Sequence, residues 1–90
     1  MNPQIYNGWK ITYKRNIHMY CHSLIVSKDE KEFEIPCEDM ATFDGVGIWP
    51  YDLGIKEPDY SDIIEALLLW ARSQGFKFRL YITNEHFESN

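Results

Sequence analysis

The chain is short of cysteine and of long hydrophobic runs. Its two cysteines, Cys21 and Cys37, are fewer than a disulfide framework normally uses, so we expect buried free thiols. The longest apolar run covers residues 66–71, whereas a membrane span needs about 20 residues. The first residues lack the charged and then apolar pattern of a signal peptide. These shortages predict a cytoplasmic protein that does not enter a membrane.

Motifs for catalysis and for phosphate binding are also missing. Gly45 and Gly47 form a G-x-G sequence, but a dinucleotide site needs a preceding strand, a third glycine and a following helix. The chain has no phosphate loop and no G-x-S-x-G sequence. Because we find no nucleophile with a nearby base and no paired acids, we expect a protein that is not an enzyme and needs no cofactor.

Four residues of the types that bind zinc are His18, Cys21, His22 and Cys37. On a strand, His18 and His22 would lie on one face about 13 Å apart, with Cys21 on the other face. Zinc requires four donors within about 2.3 Å of one point. The spacing therefore favours two exposed histidines and a buried thiol over a metal site. It also separates Cys21 from His22, which disfavours a thiol nucleophile there.

Alternating apolar and polar residues predict four strands, at residues 9–14, 17–27, 32–35 and 77–83. Residues 14–16 are predicted to be the hairpin turn between the first two strands. The second strand stops alternating after Ser23, which favours either a bulge there or burial on both sides. Pro36 is predicted to end the third strand.

Residues 61–74 are the one predicted helix, with a cap at Asp59 or Ser61 and a terminating glycine at Gly75. The order β-β-β-α-β indicates an α+β fold, with a mainly antiparallel four-stranded sheet and the helix packed on one face. Residues 1–90 would form a single globular domain, with a long irregular loop at 37–58 and a frayed tail at 84–90.

The predicted core combines the apolar face of the helix with apolar strand residues. The strand residues are Trp9, Ile11, Tyr13, Met19, Cys21, Phe33, Ile35, Phe78, Leu80 and Ile82.

The net charge of −5 is unevenly distributed. Residues 1–27 contain three basic residues and no acid, whereas residues 38–65 contain eight acids and the single basic residue Lys56. The acidic part therefore coincides with the long loop. Such a charge distribution favours a basic partner and disfavours nonspecific binding of nucleic acid at that surface.

The acidic aromatic loop is the first candidate partner site. Trp49 and Tyr51 offer the large contact area typical of interface anchors, and the acids would steer the chain toward a basic target. An alternative for Trp49 is that it folds back into the core. The predicted partner-binding residues are Asp44, Trp49, Tyr51, Asp52, Glu57 and Asp59.

The second candidate is the sheet face away from the helix. Basic and aromatic residues would alternate there, as in sheets that bind single-stranded nucleic acid. The predicted residues of this face are Lys10, Lys14, His18, Tyr20, His22, Lys77, Arg79 and Tyr81. Of these, Lys10, Tyr20, Arg79 and Tyr81 form the alternative binding site. The same face could instead be a homodimer contact.

In outline, the chain resembles small acidic α+β domains without catalytic residues. Such domains occur among phage and mobile-element inhibitors, including anti-CRISPR proteins, and among toxin-immunity proteins. The acidic segment and its aromatic residues are compatible with this class, and they predict a non-enzymatic inhibitor that docks on a basic partner surface and imitates the charge of a phosphate backbone. A nucleic-acid-binding sheet domain and a homodimeric accessory protein are the alternatives.

Overall fold

The computed structural model describes residues 4–40, 45–51, 53–75, 77–82 and 86–89. Within these residues, seven strands form one sheet in the order of the sequence, and one helix connects the fifth strand to the sixth. The elements are β1 (Gln4–Tyr6), β2 (Trp9–His18), β3 (Cys21–Lys28), β4 (Lys31–Asp39), β5 (Val46–Ile48), α1 (Asp59–Gln74), β6 (Phe78–Tyr81) and β7 (His86–Ser89).

The predicted α+β class is confirmed, but the predicted four-stranded sheet is wrong in its detail. The sheet is larger, and it is mixed because β5 and β6 run parallel while the other neighbouring strands are antiparallel. A parallel pair needs a long crossover connection, which α1 supplies here. Antiparallel neighbours can be joined by short turns, so the first four strands follow one another directly as a meander.

Three tight turns connect the first four strands. Asn7 and Gly8 between β1 and β2 both have positive φ, at 49° and 83°, as a type I′ hairpin turn requires. Met19 and Asp29 take the left-handed conformation in the two following turns. The turn predicted at residues 14–16 is wrong, because β2 continues to His18 and the chain reverses at Met19 and Tyr20.

The irregularity expected near Ser23 lies instead in β2. Ser23 pairs regularly with Lys14, and the register between β2 and β3 shifts between Lys14 and His18. As a result His22 points to the helix side of the sheet and is 1% exposed. Cys21, predicted to be in the core, points to the opposite side and is half-buried. The two residues therefore occupy the reverse of the predicted faces.

The core lies between α1 and one face of the sheet. Of the predicted strand residues, five are buried, at Trp9, Ile11, Ile35, Phe78 and Leu80. Tyr13, Phe33 and Ile82 are partly buried against them. Met19 is 72% exposed because it lies in the turn. The prediction missed Leu24, Val26, Cys37, Val46 and Ile48, which are all buried.

The helix buries one side against this core, through Ile63, Ala66, Leu67, Trp70 and Ala71. Burying a side chain of the size of leucine contributes about 1.5–3 kcal/mol to folding. Gly75 ends the helix with a φ of 74°, which confirms the predicted terminating glycine. Among the described residues, no helix is long and apolar enough to cross a membrane.

The segment 37–58, predicted to be an irregular loop, contains regular structure. Pro36 does not end its strand, and β4 runs through it to Asp39. Val46–Ile48 forms β5, which pairs with both β4 and β6. The predicted frayed tail contains β7, which pairs with β6. The remaining tail residues Asn84, Glu85 and Asn90 lie outside the described residues.

Candidate functional site

The candidate site is on the side of the sheet opposite α1, which we call the open face. Alternate residues of β4 point to this side, and they are Glu32, Glu34, Pro36 and Glu38. All four are exposed. Because β4 is the central strand of the seven, three carboxylates form a row along the middle of the open face. Neighbours two residues apart on a strand are about 7 Å apart.

Trp49 follows β5 and packs across the open face. Its backbone N–H donates a hydrogen bond to the carbonyl of Pro36 at 3.0 Å. Its indole ring stacks on Tyr81, with ring centroids 4.8 Å apart and planes 2° apart. A Cβ atom on Gly47 would lie only 2.7 Å from Cη2 of the indole, so this packing depends on the glycine. Trp49 is half-buried on the open face and does not enter the helix-side core.

A pocket of about 370 Å³ lies beside the indole of Trp49. On the open face it is lined by Cys21, Ser23, Glu34, Pro36, Glu38 and Trp49. The hydroxyl of Ser23 donates a 2.7 Å hydrogen bond to Oε2 of Glu34, which holds that carboxylate at the pocket wall. The pocket therefore combines an aromatic surface, a proline ring and two carboxylates.

Basic residues lie on both sides of the carboxylate row. Lys10 and Lys14 are exposed on β2, two strands from β4 on one side. Arg79 on β6 is half-buried and pairs with Gly47, two strands away on the other side. The open face is therefore acidic along its centre and basic toward its edges.

The structure places the six predicted partner-binding residues differently. Trp49 and Tyr51 are half-buried, while Asp44 and Asp52 lie outside the described residues. Glu57 and Asp59 are used within the fold. Glu57 accepts hydrogen bonds from the backbone N–H and the hydroxyl of Ser61, at 2.9 and 2.7 Å. These bonds lower the pKa of Glu57 and satisfy a free N–H of the first helical turn.

Asp59 begins the helix and pairs with the first residue of β4. Nζ of Lys31 lies 2.8 Å from Oδ2 of Asp59, and this hydrogen bond raises the pKa of Lys31. Nearby, the hydroxyl of Tyr60 donates to the carbonyl of Ile82. The helix start is thus attached to the sheet side of the fold at two points. The contacts of Glu57 and Asp59 therefore have structural roles within the chain.

The four residues of the alternative site do not form one cluster. Arg79 and Tyr81 lie on the same face of β6, but Lys10 is on β2 across the carboxylate row. Tyr20 is in the turn between β2 and β3, where it is 66% exposed. Tyr81 contacts a residue of the first candidate site, through the stack with Trp49. The two predicted surfaces therefore meet at this pair.

Of the residues considered for zinc or thiol chemistry, His22 and Cys37 are cross-strand partners on the helix side, while Cys21 lies on the open face. His22 is enclosed on the helix side, where its Nε2 lies 2.8 Å from Oδ1 of Asp39 and its ring meets the edge of Tyr13. Cys37 is buried, which raises its pKa, and Cys21 faces the pocket. Both are free thiols. No group of three potential metal ligands occurs among the described residues, and the side chain of His18 lies outside them.

The predicted sites omitted the glutamates of β4. Their alternation is visible in the sequence as Glu32-Phe33-Glu34-Ile35, and it predicts a charged face for this strand. Continuation of the pattern to Glu38 was hidden by Pro36, which was expected to end the strand. The row becomes a central feature only because three further strands follow it on the same sheet.

No family model matches this chain, and comparisons with curated proteins and with solved structures found no similar protein. The function must therefore be argued from the open face itself.

Proposed function

We propose that this chain is a non-enzymatic protein-binding module that inhibits its partner by covering a basic surface on it. The observation that carries the proposal is the row Glu32, Glu34 and Glu38 next to the stacked Trp49 and Tyr81. Interfaces take most of their binding energy from a few aromatic and charged residues, and this arrangement supplies both kinds on one exposed face.

Charge and exposure both support a basic partner. The three glutamates are exposed, and the chain carries a net charge of −5. A row of carboxylates along one strand presents aligned negative charges, as a phosphate backbone does, with about 7 Å between Glu32 and Glu34 and about 13 Å between Glu34 and Glu38. A basic cleft that binds nucleic acid would therefore accept this row. The free thiols Cys21 and Cys37 fit a reducing compartment such as the cytoplasm.

Direct binding of nucleic acid to the open face is less favoured. A single strand crossing from Lys10 to Arg79 would have to pass over the carboxylates of β4. Each phosphate placed near a glutamate is repelled, and this cost has no counterpart when the ligand is basic. Arg79 and Tyr81 alone offer a small platform, so the alternative function keeps only part of its predicted site.

The proposal is tested by capture from the native host with variants that change one group of residues at a time. The tagged chain is compared with Glu34→Lys/Glu38→Lys, which reverses the charge of the row, and with Trp49→Ala/Asp52→Lys, which removes the indole from the same face. Glu65→Lys, on the exposed side of α1, is the matched control. We expect a protein that is retained by the wild type and by the control and is lost with Glu34→Lys/Glu38→Lys.

The captured protein is then purified and titrated with the chain across a salt series. We expect the affinity to fall at least about tenfold in Glu34→Lys/Glu38→Lys and to weaken with salt, because charges of opposite sign meet at the interface. Added oligonucleotide should displace the chain if the covered surface normally binds nucleic acid. Equal capture by wild type and Glu34→Lys/Glu38→Lys, or salt-dependent binding of random single strands by the chain alone, would contradict the proposal.

A further inference from the structure

The pocket beside Trp49 has a composition that selects one kind of side chain. Tyr81 covers one face of the indole ring, and Trp49 also lines the pocket. Glu38 is the cross-strand partner of Gly47, over which the indole lies, and both Glu38 and Trp49 line the pocket. Pro36 adds a flat apolar surface between Glu38 and Glu34.

We infer that this pocket binds an arginine side chain of the partner protein, with the guanidinium stacked on Trp49 and paired with Glu38. The inference rests on the proposed function, and it identifies the group that the partner inserts. The apolar stem of the arginine would lie on Pro36, and Glu34, held by Ser23, would supply a second carboxylate at the far end of the pocket. The pocket volume of about 370 Å³ is large enough for one such side chain.

Arginine fits these groups better than lysine. The guanidinium is planar, so it stacks on an indole and presents two parallel N–H groups to a carboxylate at the same time. A lysine ammonium is a strongly hydrated point charge and cannot do both. Cation–π contact and a charge-assisted hydrogen bond act together only when the aromatic ring and the carboxylate are neighbours, and both Glu38 and Trp49 line this pocket.

The fixed position of Trp49 strengthens the site. The stack with Tyr81, the backbone hydrogen bond to Pro36 and the close approach to Gly47 hold the indole in one orientation before any ligand arrives. A surface that is already ordered loses less conformational entropy on binding. The indole is therefore preorganised for stacking with a planar cation, and binding does not have to order it.

The test uses the full chain and three short peptides, in which one arginine, one lysine or one citrulline is flanked by glycines and both ends are blocked. Citrulline keeps the shape of arginine and removes its charge. Binding is followed by the indole N–H signal of Trp49 in two-dimensional NMR, which is assigned with Trp49→Phe. We expect saturable binding of the arginine peptide with a dissociation constant on the order of millimolar.

Variants identify the carboxylate that carries the binding. We expect Glu38→Gln to weaken binding of the arginine peptide about five- to tenfold. Glu34→Gln should weaken it less, because Glu34 is farther than Glu38 from Gly47 and the indole above it. Glu65→Gln on α1 should leave binding unchanged. Lysine and citrulline peptides should bind at least about fivefold more weakly than arginine.

Cys21 provides a second measurement at the same pocket. Bound arginine peptide should slow the reaction of Cys21 with a thiol reagent, while the buried Cys37 serves as an internal reference that reacts only on unfolding.

Equal shifts of the Trp49 signal with arginine and citrulline peptides, or no shift of this signal at about 50 mM peptide, would overturn the inference. Peptide failure together with loss of partner binding in Glu34→Lys/Glu38→Lys rejects the arginine pocket and leaves the proposed function standing. Peptide binding without any captured partner supports the arginine pocket and contradicts the proposed function.

Discussion

Trp49 and Tyr81 stack face to face across two parallel strands, with ring centroids 4.8 Å apart and ring planes at 2°. The two residues come from opposite ends of the helical crossover, so their contact closes the connection from β5 through α1 to β6. Stacked aromatic pairs contribute about 0.5–1.5 kcal/mol beyond the area they bury. The pair therefore stabilises the parallel strands and also forms the aromatic part of the open face.

Gly47→Ala should displace Trp49 from this stack. The added methyl group would lie 2.7 Å from both the indole Cη2 and the sulfur of Met40, and the rigid indole must move while methionine can adjust. We expect a loss of about 1–3 kcal/mol in the free energy of unfolding, as for other overpacked sites, and a weaker near-ultraviolet circular dichroism signal. Urea unfolding of the variant measures the first quantity directly.

The double variant Gly47→Ala/Trp49→Ala separates this contact from backbone effects. If the methyl group clashes with the indole, Gly47→Ala should cost little once Trp49 is truncated, with a coupling energy of about 1 kcal/mol or more. Equal costs in the two backgrounds would show that the indole does not require the glycine.

Tyr13→Phe should leave the protein as stable as before or stabilise it by up to about 1 kcal/mol near neutral pH. The Tyr13 hydroxyl is buried and has no hydrogen-bond partner among the described residues, so its removal relieves a desolvated polar group. Tyr60→Phe is the matched control, because the Tyr60 hydroxyl donates to the carbonyl of Ile82 and its loss should cost about 1 kcal/mol. A substantial loss of stability in Tyr13→Phe would show that its hydroxyl is satisfied.

Tyr13 also predicts how stability responds to alkaline pH. Burial raises the pKa of Tyr13 from 10.0 to about 12. The unfolded chain therefore releases this proton first, and the associated stability is present below about pH 10 and lost as the pH rises toward 12. The stability of Tyr13→Phe should therefore fall less over this pH range than the stability of the wild type, as measured by urea midpoints at several pH values.

Glu57→Gln should remove part of the acid sensitivity of the protein. The hydroxyl and backbone N–H of Ser61 lower the pKa of Glu57 below its usual 4.5. A lowered pKa in the folded state gives stability that is present above the unfolded pKa and is lost as the pH falls through the folded pKa. Wild-type urea midpoints should therefore fall between about pH 5 and pH 3 more than those of Glu57→Gln. Glu65→Gln, on the exposed side of α1, should retain the wild-type dependence.

Asp39→Ala should destabilise the fold through His22. The His22 side chain is completely enclosed, and its Nε2 lies 2.8 Å from Oδ1 of Asp39, which is 41% exposed. Removing the carboxylate deprives a buried ring nitrogen of this bond, which typically costs about 1–3 kcal/mol. Asp39→Asn keeps an acceptor and should cost less, and Glu30→Ala in the exposed turn before β4 should cost almost nothing. Matching losses in Asp39→Ala and Glu30→Ala would contradict this role for the contact.

The sequence predicts the local elements of this fold well, but it predicts poorly which strands pair over long sequence distances. Helix α1 and its terminating Gly75 follow from periodicity and a glycine signal, and both are present. The Asn7-Gly8 dipeptide is an equally strong local signal for a hairpin turn, and the structure has this turn. The turn at Met19 and Tyr20 has no such signal, since neither residue favours the left-handed conformation. The turn between β2 and β3 therefore lies several residues after the one predicted at residues 14–16.

The candidate site depends on pairings that a single strand cannot reveal. Val46–Ile48 is only three residues long, and it becomes a strand because β4 and β6 pair with it from both sides. The contact of Trp49 with Tyr81 exists only after that pairing has formed. Composition identified the acidic and aromatic character of the region, but the face on which these residues meet is set by long-range register.

Pro36 limits the neighbouring strand β5, although its own strand β4 continues through it. Its carbonyl accepts a hydrogen bond from Trp49, but a proline has no N–H to return to that residue. The ladder between β4 and β5 therefore cannot continue past Ile48, and the chain leaves the sheet at Trp49. Pro36, together with Pro50 directly after Trp49, thus limits the length of β5, so the end of this strand is set partly by a residue of its neighbour.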